Sequence, residues 1–132
     1  MAEKLFLEVV TPQKAIVSEE AEIVIAPGSD GEFGVLKGHT TFLTSLKIGT
    51  LRYKDAKGKE RYLFINGGFA EVLPDKVTIL AESAERRRDI DVERATKAKE
   101  RAEKRLSEKS ADTDLARAEA ALRRAVHRLK LK

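Results

Sequence analysis

Residues 77–95 read VTILAESAERRRDIDVERA, and the character of the chain changes inside this stretch. Val77 to Leu80 is an apolar, largely β-branched run of the kind that forms a strand. From Ile90 onward, apolar residues recur at helical spacing instead. All eight Gly, all three Pro and all seven Phe and Tyr lie before residue 85. We therefore predict two domains, residues 1–84 and residues 85–132.

The first domain is predicted to consist of strands. Short apolar runs alternate with turn residues about every ten positions, with no helical period between them. The predicted strands are residues 5–10, 15–17, 23–25, 42–48, 51–53, 62–65, 69–73 and 77–80. The glycine-rich segment 28–34 lacks the spacing of a nucleotide-binding loop and is interpreted as a turn between strands. Such a pattern indicates a β-sandwich or a small barrel.

The second domain is predicted to be an antiparallel helical hairpin. Asp89 is a candidate N-cap for a helix that begins at Ile90, and Asp112 for a second helix. The chain would turn near residues 109–110. Each helix has one narrow apolar face, made mostly of alanine. The first face is Ile90, Ala95, Ala98, Ala102 and Leu106, and the second is Leu115, Ala118, Leu122, Ala125 and Leu129. Because alanine buries little area, we expect this hairpin to open easily and to act as a movable arm.

Composition excludes several classes of protein. The chain has no cysteine and only two histidines, so a disulfide framework and a histidine-rich metal site are not expected. No apolar run is long enough to span a bilayer, and we expect a soluble protein. Residues 1–84 carry a net charge of −2 and residues 85–132 one of +6. The basic second domain leaves a small nucleic-acid-binding module as the alternative reading, with a helical scaffold as a third. Acidic residues interleave the basic ones, however, and no aromatic residue is present there for base stacking.

The sequence has no pattern typical of an autonomous enzyme. No phosphate-binding loop and no Ser–His–Asp arrangement stands out, so we predict no catalytic residue and no metal ligand. His39 is interpreted as a turn residue or a partner contact. His127 is interpreted as a solvated side chain on a basic helix.

One arrangement in the arm suggests a ligand. Asp91, Arg94 and Ala95 lie on one side of the first helix, and Arg124 and Arg128 on one side of the second. In an antiparallel hairpin, Asp91 would face Arg128 and Ala95 would face Arg124. Arginines grip phosphate oxygens, an aspartate accepts hydrogen bonds from a ribose or base, and alanine leaves room for a ring. The alternative is a plain Asp–Arg salt bridge between the helices, with the other arginines in solvent. Spacing alone leaves both readings open.

Four segments of the first domain occur in a specific order. They are Val9-Val10-Thr11-Pro12, Gly31-Glu32-Phe33-Gly34-Val35-Leu36-Lys37-Gly38-His39, Asn66-Gly67-Gly68-Phe69-Ala70-Glu71-Val72 and Val77-Thr78-Ile79-Leu80-Ala81. Together they resemble the epsilon subunit of the bacterial F-type ATP synthase. In the arm, Ile90-Asp91-Val92-Glu93-Arg94-Ala95 is similar to the I/L-D-x-x-R-A signature of family members that bind ATP. The resemblance covers essentially the whole chain.

The resemblance implies a β-sandwich followed by two helices, in agreement with the prediction from the residues. It implies a non-catalytic subunit of the central stalk of a proton-translocating ATP synthase. The partners would be the gamma subunit, the ring of c subunits and, when the arm extends, the alpha/beta catalytic head, where the arm inhibits ATP hydrolysis. No nucleic acid would bind. The location would be the cytoplasmic face of the bacterial cell membrane, as a peripheral protein. No cofactor is required, and ATP would be an optional regulatory ligand.

The resemblance also assigns residues. Glu32 and His39 match positions that contact the c ring and gamma. The positions that match ATP contacts are Glu85, Ile90, Asp91, Arg94, Ala95, Arg101, Arg124 and Arg128. The signature does not fix the affinity, because some members that keep it bind ATP weakly.

Overall fold

The computed structural model describes residues 3–108 and 114–132. In the first of these ranges, strands form a single sheet that closes on itself. They are β1 (Leu5–Val10), β2 (Ala15–Gly28), β3 (Gly31–Val35), β4 (Phe42–Asp55), β5 (Glu60–Leu73), β6 (Lys76–Ala81) and β7 (Ala84–Arg86). The order is β1-β6-β5-β4-β2-β3, and β1 also pairs with β2, which closes the sheet. The β1–β6 pair is parallel, and the other pairs are antiparallel. The predicted β-sandwich followed by two helices is confirmed.

β1 has the predicted bounds, but several other strands are longer than predicted. β2, β4 and β5 each have 14 residues, so several short predicted runs are parts of one strand. β5 pairs with β7 along its first part and with β6 along its second, and Gly68 lies where the partner changes. Gly68 has φ 128°, and a Cβ there would collide with the carbonyl oxygen of Leu80. Glycine therefore allows the strand to continue where it looks like a break in the sequence.

The interpretation of residues 28–34 as a turn was wrong in part. Only Ser29 and Asp30 turn, because Gly28 pairs with Gly31 in a tight hairpin and β3 then runs to Val35. The flanking glycines permit the close approach of the two backbones.

The core lies inside the closed sheet. β1 alternates buried and half-buried residues, as expected for a strand with one face on the core. Leu7, Val24, Leu51 and Ile79 are fully buried there. Tyr53 is also buried, and its hydroxyl donates a hydrogen bond to the Glu19 carboxylate.

The helices are α1 (Val92–Glu108) and α2 (Leu115–Leu131), with a short 3-10 turn at Arg87–Asp89 before them. The predicted helix start at Ile90 with Asp89 as cap was wrong. Ile90 is extended, and Asp91 is the cap, since its Oδ1 accepts from the Arg94 amide at 3.0 Å. Asp114 caps α2 by accepting from the Arg117 amide at 3.0 Å. Asp112, the predicted second cap, and the predicted turn at residues 109–110 lie outside the described residues.

The two helices pack against each other through alanine. Ala95, Ala102, Ala118 and Ala125 are the buried residues of this contact. Leu115, predicted on the same face, is 45% exposed, whereas Leu131 is buried against the sandwich with Phe64 and Ile90. Neither helix is long and apolar enough to cross a membrane. The boundary after residue 84 stays a prediction, although strand pairing continues to Arg86.

Candidate functional site

A cleft of about 600 Å³ lies between α1 and α2 and opens beside β7. Its lining combines five arginines, three carboxylates and five alanines. The lining residues are Glu85, Asp89, Asp91, Arg94, Ala95, Ala98, Arg101, Ala102, Arg105, Ala118, Ala121, Arg124 and Arg128. The size is within the range of small-molecule sites, and the charge suits an anion.

Helical spacing brings these side chains together. Arg94 and Arg101 are seven residues apart on α1, which is two turns, and Arg124 and Arg128 are one turn apart on α2. The alanines between them are too short to fill the space. The arginines therefore line an open cleft beside the alanine contact of the two helices.

Arg128 joins the arm to the sandwich. Its Nε and Nη2 each lie 2.9 Å from the Oε1 of Glu85, and its guanidinium lies 4.4 Å from the centroid of the Phe64 ring. We call these three residues the arm latch. Both charged side chains are less than one-third exposed, so solvent weakens the pair only in part. Three of the five guanidinium N–H groups remain for another acceptor.

The structure brings together most of the predicted site. Seven of the eight residues predicted to contact ATP line the cleft, and their role stays a prediction. Ile90 does not line it, because Ile90 is buried in a cluster with Phe64 and Leu131.

The alternative reading, an Asp91–Arg128 salt bridge, was wrong. Asp91 uses Oδ1 to cap α1, and Arg128 pairs with Glu85. Within residues 3–108 and 114–132, the side chains of Arg94, Arg101 and Arg124 have no carboxylate within ion-pair distance. The cleft therefore holds arginines whose charge a ligand could neutralise.

Among the charged residues that line the cleft, the predicted site omitted Asp89 and Arg105, and it also omitted Phe64 of the latch. Arg105 follows Arg101 by one turn and could have been found from that spacing. Phe64 comes from β5 in the other domain, and no local pattern connects it with the arm.

The interpretation of His127 as a solvated side chain was wrong. His127 is half-buried in a groove between α2 and the sandwich. Burial lowers the pKa of its ring, and the charges of Lys130, Lys47 and Arg123 lower it further.

Of the predicted contact residues, Glu32 is exposed and His39 is half-buried. Arg52 donates two hydrogen bonds to Glu32, at 3.0 and 3.3 Å. The Nδ1 of His39 donates to the Thr40 carbonyl at 2.8 Å, and its ring lies 5.2 Å from that of Phe42. The contact of Glu32 and His39 with the c ring and gamma stays a prediction.

An apolar face lies exposed on strands β4, β5 and β6. Leu43, Phe69 and Leu80 are 70%, 55% and 54% exposed. In the sheet, Phe69 pairs with Leu80 on β6 and with Ser45 on β4. Leu43 lies two residues before Ser45 and therefore on the same side of β4. We call these three residues the apolar face. A cluster of this kind is typical of a surface that another protein covers.

Comparison with known proteins gives concordant matches over both domains. Residues 4–87 match the model described as "ATP synthase, Delta/Epsilon chain, beta-sandwich domain", and residues 88–132 match its long alpha-helix domain. The ATP synthase epsilon chain of Desulforapulum autotrophicum is 75% identical over 129 residues, which are 98% of this chain and 96% of that protein. The epsilon chain of Nitratidesulfovibrio vulgaris is 54% identical over 132 residues, covering 100% and 98% of the two chains.

Solved structures agree. A chain in the mitochondrial ATP synthase of Euglena gracilis, solved with F1 and the c-ring, superposes with a TM-score of 0.82 and 27% identity, over 93% of this chain and 78% of that one. A chain of the central stalk and c-ring of the Tetrahymena thermophila enzyme matches with a TM-score of 0.58 and 16% identity, over 96% and 93%, and supports the fold alone.

Proposed function

Because the chain belongs to the ATP synthase delta/epsilon family, we propose that it is the regulatory subunit of the central stalk of a proton-translocating F-type ATP synthase. It has no catalytic role of its own. In this proposal the sandwich attaches the subunit to its neighbours. The arm senses ATP when it is closed and inhibits ATP hydrolysis when it extends.

The sandwich offers two surfaces for attachment. The apolar face would pack against the gamma subunit, since three large exposed apolar side chains on adjacent strands lose contact with water there. Glu32 and His39 would contact the c ring. The similar Euglena chain comes from an assembly that contains F1 and the c-ring, which supports this placement. The subunit would then lie at the cytoplasmic face of the cell membrane as a peripheral protein.

The cleft would hold ATP. Arg94, Arg101 and Arg124 have no carboxylate partner in the described part of the chain, and they would bind the phosphate oxygens. Asp91 retains Oδ2 as an acceptor for the ribose or the base. The small side chain of Ala95 leaves space for a ring.

Binding of ATP would keep the arm closed, because the site draws on both helices. A ligand that binds only the closed form stabilises it by RT ln(1 + [ATP]/Kd), about 2.7 kcal/mol at a hundredfold excess over Kd. The contact between the two helices is made mainly of alanine, which contributes little packing energy. The binding energy of ATP would therefore be large compared with the packing energy of the closed hairpin. Once open, two helices of 17 residues would reach on the order of 50 Å. Their net positive charge would direct them to acidic surfaces of the alpha/beta head.

The observation that carries this proposal is the arginine-lined cleft between two helices that touch through alanine. The test is ATP hydrolysis by the assembled enzyme with a chain that ends after Asp89. This truncation keeps β7 and its pairing to β5. We expect faster hydrolysis than with the full chain at low ATP, with equal amounts of the subunit in the purified complex. Equal rates at equal subunit content would contradict an inhibitory arm.

Attachment is tested separately. Phe69→Glu places a charge at the centre of the apolar face, and we expect the subunit to be lost from the complex. Val92→Glu is the matched control, because Val92 is also exposed (44%) but lies on the arm. Retention of the Phe69→Glu chain at the level of the control would contradict docking through this face.

A further inference from the structure

We propose that His127 is a pH-sensitive element of arm docking, at which protonation of the imidazole loosens the contact of α2 with the sandwich and releases the arm. Its consequence for ATP hydrolysis rests on the proposed function. The docking equilibrium itself is a property of the isolated chain and is tested there.

The histidine occupies the interface that must separate when the arm opens. A groove of about 540 Å³ lies between α2 and the middle parts of β4 and β5. Its walls come from both sides, and His127 is half-buried among them. The residues that line it are Leu46, Lys47, Ile48, Asn66, Gly67, Glu82, Arg123, Arg124 and His127. Opening of the arm would expose the imidazole to water on all sides.

The charges around His127 oppose its protonation. Lys47 faces it from β4, and Arg123, Arg124 and Lys130 lie on its own helix. Glu82, after β6, is the carboxylate in the lining. In the described part of the chain, no side-chain hydrogen bond holds the ring in a charged form. A protonated ring would therefore add a positive charge to a partly desolvated, already positive groove.

The direction of the pH effect follows from linkage. Burial, followed by the charges of Lys130, Lys47 and Arg123, lowers the pKa of His127 in the closed arm below the ordinary value near 6.5. The closed form is therefore fully stable above that pH and loses stability as the pH falls through the lowered pKa. One proton taken up on opening changes the ratio of open to closed arm by up to about tenfold per pH unit.

The first test is an NMR titration of the histidines in the whole chain. His39 and His127 are the only two in the sequence, so one substitution, His39→Gln, assigns both signals. We expect the pKa of His127 to be lower in the folded chain than in the same chain unfolded in urea. It should rise in Lys47→Gln and stay unchanged in the control Lys37→Gln, whose lysine lies in the turn after β3. A pKa at or above the unfolded value, or one that Lys47→Gln leaves unchanged, would overturn the proposal.

The second test measures the arm directly. The chain has no cysteine, so dyes attached to Gln13→Cys on the sandwich and Glu119→Cys on α2 report their separation. Lowering the pH from about 7.5 to about 5.5, a range that spans the ordinary histidine pKa, should increase the open fraction of the arm several-fold. His127→Gln should abolish that dependence, and His127→Arg should favour the open arm throughout. An unchanged dependence in His127→Gln would overturn the proposal, whether or not the arm inhibits hydrolysis.

Discussion

Tyr53 illustrates how a single polar group is accommodated in the core. Its ring is buried, and its hydroxyl donates to the carboxylate of Glu19 on β2. Burial is the largest cause that raises the pKa of Tyr53 to about 12, and the bond to Glu19 adds to it. Because the folded pKa is raised, the contribution of the neutral phenol to stability is complete below pH 10 and is lost as the pH rises toward 12.

We predict that Tyr53→Phe lowers the free energy of unfolding by roughly 1–2 kcal/mol at pH 7, the scale of a partly buried hydrogen bond to a charged group. Tyr62→Phe is the matched control. The hydroxyl of Tyr62 donates to the exposed Glu60, so its loss should change the free energy of unfolding little. Urea denaturation of both variants makes the comparison. Equal losses of stability in the two would contradict the role assigned to Tyr53.

The arm latch makes a second prediction for single residues. Arg128→Ala removes the Glu85 pair and the contact with Phe64, and we expect docking of α2 to weaken by roughly 1–2 kcal/mol without nucleotide. Hydrogen exchange of α2 amides in the isolated chain should accelerate accordingly. Arg117→Ala serves as the control, because Arg117 is exposed on α2 and lies outside both the latch and the groove around His127. Equal protection of α2 in the two variants would show that the latch does not hold the arm.

For whole elements, the alanine contact between α1 and α2 is the decisive feature. Ala118→Leu inserts three carbons where the helices touch, and we expect overpacking to cost roughly 1–3 kcal/mol of hairpin stability. Ala116→Leu, on the exposed side of the same helix, should cost almost nothing. Thermal unfolding and circular dichroism of the isolated chains compare the two. An equally stable hairpin in Ala118→Leu would mean that the alanines are not in close contact.

The elements also show how far the sequence could predict the fold. Periodicity identified both helices and most strands, because each has one buried face. Periodicity failed where backbone conformation determines how far a strand continues or where a helix begins. Gly68 permits β5 to pass close to Leu80, and the 3-10 turn before Ile90 moved the helix start to Val92. Neither effect leaves a periodic signal in the residues concerned.

At the scale of the whole molecule, the same limit applies to the site. Arg94 and Arg124 line one cleft, as helical spacing predicted, and Arg101, which only the family resemblance assigned to the site, lines it too. Spacing could not show that Glu85 and Phe64 of the sandwich engage Arg128, since that contact needs the position of the arm on the sandwich. The observed geometry makes Arg128 part of both the cleft and the latch. In the proposed function, ATP binding and docking of the arm would be coupled through this one side chain.

The central claim is that the cleft takes ATP and that ATP holds the arm closed. Isothermal calorimetry of ATP with the isolated chain tests it most directly. We predict a saturable heat with one site per chain, and a loss of affinity of roughly 1.5–3 kcal/mol in Arg124→Ala, the scale of a charged hydrogen bond. Arg117→Ala, an exposed arginine of α2 outside the cleft, should bind as the unmodified chain does. Absence of any heat at millimolar ATP, or equal affinity in the two arginine variants, would contradict the account.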